Sequence, residues 1–458
     1  MSTGAEISVT RSFADALVKV PSPAGLAAAA ASRTLLNVLG TAIGASNHPG
    51  TVALTGPAGR PGAIVVPGRR EPLGILDAAA AIGFAAHVED FDDTDLVTVL
   101  HPGAPVLGAC LAAGQHVACS GRELLDAFAI GCEAQMRLAR SISPSHYDLG
   151  WHITGTCGVV GAAVGAGLLL RLDGRRLRDA IGFAVAQTLG HREAFGTMLK
   201  AYHPGKAASN GLLAAWLAHR GLAGPDDPLG GPGGFAAVLS QSFDPGMLTR
   251  GLGEEWVLES NSFKPYPCGI VCHPAIDAGI ALHGKVKSAD AIAGVTVGCH
   301  PLVLELTGNP DPKDGLEAKF STVHGVAAGL ADGQAGLAQY TDSAVRSESL
   351  AALRGKISLV IDSALDRDQA TATLITRDGH VLTQRVTHAR GSLRRPLTDD
   401  ELLAKVTALV QPVLPGRAPR IASAVHDLAG SRTLAALVGS LTAPAPAGAG
   451  NESGTGND

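Results

Sequence analysis

TCGVVGAAVGAGLLL runs from Thr156 to Leu170. It carries no charge, and its apolar run, from Cys157 to Leu170, is 14 residues long. A helix that crosses a membrane needs roughly 20 apolar residues. A helix with no wide polar face is instead enclosed by other helices. Gly158, Gly161, Gly165 and Gly167 would let those neighbours approach closely.

Candidate neighbours lie on both sides. Ala24–Ala45, Ile75–His87, Pro105–His116, Arg122–Ile142, Leu177–Leu189 and Ala207–Arg220 are Ala- and Leu-rich, separated by Gly, Pro or His-Pro breaks. The composition shifts after about residue 260. Ala291–Cys299, Lys356–Ile361, Ala372–Thr376 and Val381–His388 are short and rich in β-branched residues, and Asp378-Gly379 marks a hairpin between the last two. Leu316–Ala331 and Asp342–Arg354 read as helices between the first two strands. The helical pattern returns at Asp399-Asp400-Glu401, with Leu402–Val410 and Ala422–Ala429. The expected fold is mainly α: a large all-helical domain, with a smaller α+β domain inserted before the C-terminal helices. Residues 1–262 and 398–442 would form the first, residues 263–397 the second, and residues 443–458 a disordered tail.

Composition fits this reading. The 458 residues are 46% apolar, ample for a large core, and only 17% charged. A net charge of −5 without long Lys/Arg runs argues against a nucleic-acid surface. Seven cysteines, odd in number and scattered, suit a reducing cytoplasm better than a disulfide scaffold. Glu6, Arg11 and Asp15 interrupt the N-terminal region, so no signal peptide is evident and no membrane association is expected. Phosphate-loop, dinucleotide, zinc-protease and nucleophile-elbow motifs are absent. Cys268 and Cys272 lack a second ligand pair for zinc, and no metal is expected there.

Charge is scarce, so four segments that concentrate it stand out: Asp90 to Gly103 with Asp92, Asp93, Thr94 and His101; Gly150 to Thr156 with His152; Lys200 to Lys206 with His203, read as a loop before a helix; and Ser262 to Pro274 with Lys264 and His273. The bland alternatives are helix caps, solvated loops and a linker lysine. Together the segments offer cations for carboxylates and histidines to move a proton on or off carbon.

In sequence order, Asp90-x-x-x-Thr94, His101-Pro102-Gly103, Gly150-Trp151-His152-x-Thr154, Lys200-x-x-His203-x-Gly205, Lys264-Pro265-x-Pro267-Cys268 with His273-Pro274, and Glu317-Ala318-Lys319-Phe320-Ser321 resemble the MmgE/PrpD family. The resemblance implies a homodimeric, cofactor-independent lyase acting on a small polycarboxylate, such as a 2-methylcitrate dehydratase or a cis-aconitate decarboxylase, with its site between a helical domain and a lid. It assigns Asp90, His101, His152 and Lys264 to catalysis, with Asp90 orienting or tuning His101. Thr94, Lys200, His203, Lys206 and His324 would bind substrate, with a supporting or structural role as the alternative for His203 and Lys206. A histidine that the decarboxylase carries falls on Gly269, and one of its tyrosines falls on His324; both departures speak against simple transfer of decarboxylase activity. The Gly103 and Gly108 region likewise departs from the dehydratase proper. The alternatives are an epimerase of a related dicarboxylate such as iminodisuccinate, or a non-catalytic helical binding protein.

Overall fold

The computed structural model describes residues 8–56, 59–286 and 288–443. The expected tail, residues 444–458, lies outside the described residues.

Helix Ile153–Leu169 is at the centre, and of its residues only Leu168 is not fully buried. It packs against Gly121–Ile142, Gly103–Val117 and Leu199–His219. Small residues make these contacts close. A Cβ on Gly161 would stand 2.7 Å from the Gly131 carbonyl oxygen, and one on Gly211 would stand 2.5 Å from Ala162 Cβ. The C-terminal helix Asp399–Val410 returns to this body and lies on Gly25–Gly44, where Gly40 faces Val406. Gly25–Gly44 is long and apolar enough to cross a membrane, which the sequence reading overlooked. Here it is a core helix, burying Leu35, Val38, Leu39 and Ile43. Its Arg33 pairs with Asp399.

One continuous apolar core runs from Phe13 to Phe263 and resumes from Leu397 to Leu441. The intervening residues build separate, smaller cores. Their four-stranded sheet has Ile357–Ile361 parallel to Ile292–Cys299, then Ala370–Thr376 and Val381–Val386, both antiparallel. The hairpin turns where the Asp-Gly signal predicts, with Gly379 at φ 87°. Helices His273–Leu282 and Thr322–Asp332 cover one face, burying Ala275, Ala278 and Val326 against Val295, Val297 and Ala372.

Three local expectations need correction. Leu316–Ala331 is two helices, Gly315–Ala318 and Thr322–Asp332, because Ser321 caps the second by accepting from the His324 amide. Asp342–Arg354 is likewise split, at the Ser347 cap. Lys200 to Lys206 is not a loop: the helix begins at Leu199 and runs through Pro204. Proline in a helix removes one hydrogen bond. Here it lies early in the helix, and the neighbouring Gly205 allows contact with Ile75–His87, where an added Cβ would stand 2.7 Å from the Ala80 carbonyl oxygen.

Candidate active site

A two-stranded ribbon assembles the site. Asp93–Asp95 pairs antiparallel with Asn261–Phe263, Asp93 opposite Phe263. This brings Lys264 beside Asp90 across 174 residues of sequence. The Lys264 amide donates to the Asp92 carbonyl at 3.2 Å. Lys405, from the C-terminal helix, fixes the same junction: its ammonium donates to the carbonyls of Phe91 (2.5 Å) and Lys264 (2.9 Å) and to Asn37 Oδ1 (2.7 Å). Burial pushes Lys405 down to about 7.

A chamber of about 60 Å³ lies against this ribbon, lined by Asp90, Thr94, His101, His152, Lys200 and Lys264. Phe195 and Phe320 close one side, their ring centroids 5.6 and 5.8 Å from the Lys200 ammonium. Asp90 sits in the left-handed region at φ 51°, which Asp tolerates better than most residues. Its Oδ1 accepts from Lys200 at 2.5 Å and faces Lys264 at 3.0 Å. Burial would raise the Asp90 pKa, but the two ammonium groups overcome it and hold the carboxyl well below its usual range. The chamber floor is therefore charged but partly self-neutralised.

Asp90 does not orient His101, contrary to expectation. His101 Nδ1 stands 2.7 Å from the Asp93 carbonyl oxygen and 3.1 Å from Asp92 Oδ1. A carbonyl only accepts, so Nδ1 carries the proton and Nε2 keeps its lone pair. Asp92 also accepts from His87 Nδ1 at 2.7 Å, and His87 Nε2 accepts from Lys200 at 3.1 Å. Asp92 thus joins two histidines. Burial lowers the His101 pKa and pushes His87 down to about 3, so both rings are neutral near pH 7. The sequence reading missed His87 and treated Asp92 as a possible helix cap. The capping role belongs to Asp93, which accepts from the Gly103 amide at 3.0 Å. Burial pushes Asp93 up to about 7.

His152 precedes the central helix as its N-terminal flanking residue. Its Nδ1 is 2.9 Å from His203 Nδ1, and its Nε2 is buried with no partner. Burial, reinforced by Lys200, holds it well below the ordinary histidine range. His203 stands behind His152, outside the chamber lining. Lys206 is also outside; its charge acts on Asp77. At 100° per residue, His203 is about 60° round the helix from Lys200 and Lys206 about 120°, so the lysines face apart. A loop would have imposed no such separation. His324 is remote too, buried in the smaller unit with Nε2 2.8 Å from the Gln339 carbonyl oxygen and Nδ1 accepting from Arg354. Gly269 lines the chamber, and a Cβ there would meet Thr307 Cγ2 at 2.7 Å, so a histidine at this position requires Thr307 to move.

His87, Asp90, Asp92 and His101 place four potential metal-ligand atoms within 4.8 Å of one another. The donor set fits a cation poorly. Asp90 is already engaged by two ammonium groups, and the Nδ1 atoms of both histidines carry protons toward Asp92 or the Asp93 carbonyl.

Residues 12–248 match the MmgE/PrpD N-terminal domain and residues 266–429 the MmgE/PrpD C-terminal domain. The chain is 27% identical to the cis-aconitate decarboxylase of Mus musculus over 347 residues, covering 72% of this chain and 71% of that protein. It is 26% identical to the cis-aconitate decarboxylase of Aspergillus terreus over 379 residues, covering 76% and 77%. It is 28% identical to the 2-methylcitrate dehydratase of Cupriavidus necator over 377 residues, covering 75% of each. With both domains matched in order around a chamber built from both, the chain belongs to the MmgE/PrpD family.

Proposed function

We propose that this protein is a lyase that removes water from a small polycarboxylate of the 2-methylcitrate type, without a cofactor and as a homodimer. The observation that carries the reading is the pairing of Lys200 and Lys264 on one Asp90 oxygen, in a chamber that His101 and His152 also line. A substrate carboxylate would take over part of Asp90's role as partner to the lysines. The lysines would then stabilise the enolate-like charge that forms when a neighbouring carbon loses its proton. His101 Nε2 would accept that proton. His152 would hand its Nε2 proton to the departing hydroxyl and take one from His203 through the Nδ1 contact, so that one C–H and one C–O bond break, a C=C bond forms and water leaves.

Gly269 favours dehydration over decarboxylation, because the histidine that the decarboxylase resemblance would put there is missing and would need Thr307 to move. Two histidines lining one chamber also suit an epimerase, in which one takes a proton and the other returns one to the opposite face.

Proton NMR in deuterated water separates these readings, with 2-methylcitrate, cis-aconitate and iminodisuccinate tested singly, with and without a chelator. Loss of water from 2-methylcitrate, unaffected by chelator, is the expected result. Release of carbon dioxide from cis-aconitate would reassign the branch. Deuterium entering carbon without elimination would establish the epimerase. Binding without any reaction would make the chain a binding protein.

A further inference from the structure

The chamber adjoins a second cavity of about 550 Å³, and the two share Val99, Tyr147, Ile270, Val271 and Leu306 as a common neck. The chamber is about a ninth of that volume, so a bulky substituent beyond the reacting centre has its room in the larger cavity.

That cavity is apolar where it meets the chamber. All of the neck except Tyr147 is aliphatic, and Leu96, Pro144 and Leu302 add to its apolar lining. Of the charged groups in the lining, several are already committed. Arg192 pairs with Glu305 at 2.9 Å, Arg390 with Glu401 at 2.9 Å, and His388 with Asp368 at 3.0 Å. The lining has four arginines against four carboxylates, so it offers no net positive field for a further anionic group. Val99 holds the neck in a costly conformation, φ 57°, which a β-branched residue rarely adopts. Its loop is closed by the Val99 amide on the Asp95 carbonyl and the Asp95 amide on the Leu100 carbonyl, both at 2.8 Å.

We propose, resting on the lyase reading above, that the substrate is a polycarboxylate with an alkyl substituent longer than methyl, and that this chain lies in the 550 Å³ cavity. The lysines and histidines hold the carboxylate end. The aliphatic neck selects what is attached to it.

The test is kcat/KM of the purified full-length protein for 2-methyl-, 2-butyl- and 2-hexylcitrate. Burial of each methylene should raise it roughly fourfold, giving on the order of 1000-fold between methyl and hexyl if every methylene is buried. A flat series, or a preference for methyl, overturns the proposal and leaves the lyase reading intact. No turnover at any chain length overturns both. Leu302→Trp, in the wall of the large cavity, should lower kcat/KM for 2-hexylcitrate at least tenfold more than for 2-methylcitrate; equal losses contradict the placement of the chain. Inhibition of the wild-type protein is a control independent of that variant's folding: 2-hexylsuccinate should bind more tightly than 2-methylsuccinate, and equal inhibition constants oppose the proposal.

Discussion

Asp90 is shared between Lys200 and Lys264, whereas Asp92 is shared between His87 and His101. Two carboxylates two residues apart therefore have different work, and substitution should separate them. Lys264→Met removes a charge that faces the chamber, and kcat should fall by roughly 10²–10³-fold while the protein remains folded, as circular dichroism would report. Wild-type turnover in the folded variant would remove Lys264 from the mechanism. Asp92→Asn leaves the Asp93 carbonyl to hold His101 in its tautomer, so its kcat/KM should fall by less than the roughly 10²-fold that marks outright loss of a general base. Asp90, His101, His152, Lys200 and Lys264 stand out in the sequence because charge is scarce in this chain, and the MmgE/PrpD resemblance, which also supplies Thr94, gathers them into one site. His87 does not: it ends an apolar helix and reads as an ordinary C-terminal cap. Lys405 does not either, since a lysine within Leu402–Val410 looks like a solvent-facing residue until the Phe91 and Lys264 carbonyls are placed around it.

Among the elements, long apolar helices declare themselves and short strands do not. Ile75–His87 was read to the residue. The ribbon that brings Lys264 to Asp90 has strands of only three residues, too short for any alternation to show. His203 stands behind His152 and Lys206 outside the chamber, because the helix runs on through Pro204 where the sequence suggests a break. Glycine has a similar ambiguity, resolved only by its neighbours. Gly211→Ala drives a methyl to 2.5 Å from Ala162 Cβ and 2.7 Å from the Val159 carbonyl oxygen, and should cost about 1–3 kcal/mol. Gly439→Ala, in helix Ala435–Leu441, meets nothing within 4 Å among the described residues and should stabilise the protein by up to about 1 kcal/mol. Urea denaturation midpoints moving in opposite directions would bear this out; a shared direction would not.

The whole molecule carries an unusual load of neutral buried histidine. Burial pushes His87 and His273 down to about 3, and His146, His203 and His324 to about 4. In the unfolded chain these rings titrate near 6.5. Between 6.5 and about 4 the unfolded state therefore binds protons that the folded state refuses, so stability must fall as pH falls through this window. Differential scanning calorimetry should show Tm dropping steadily below pH 6.5, with acid unfolding above pH 4. A Tm constant down to pH 4 would mean that these rings are charged in the fold. The change from long apolar helices to short β-branched strands after about residue 260 is readable from composition, and the four-stranded sheet lies in that interval. A site between the two parts came from the resemblance and not from composition, because its lining is drawn from segments more than 100 residues apart.

The anchoring of Lys264 has a mechanical consequence. Its amide is tied to Asp92 and its carbonyl to Lys405, so its main chain belongs to the body although the smaller unit follows immediately. Pro265, with its fixed φ, comes next. Any swing of the smaller unit is thus taken up beyond Lys264. The entrance can widen or narrow for substrate traffic while the paired charges stay in register, so the enzyme does not have to rebuild its electrostatics on each turnover.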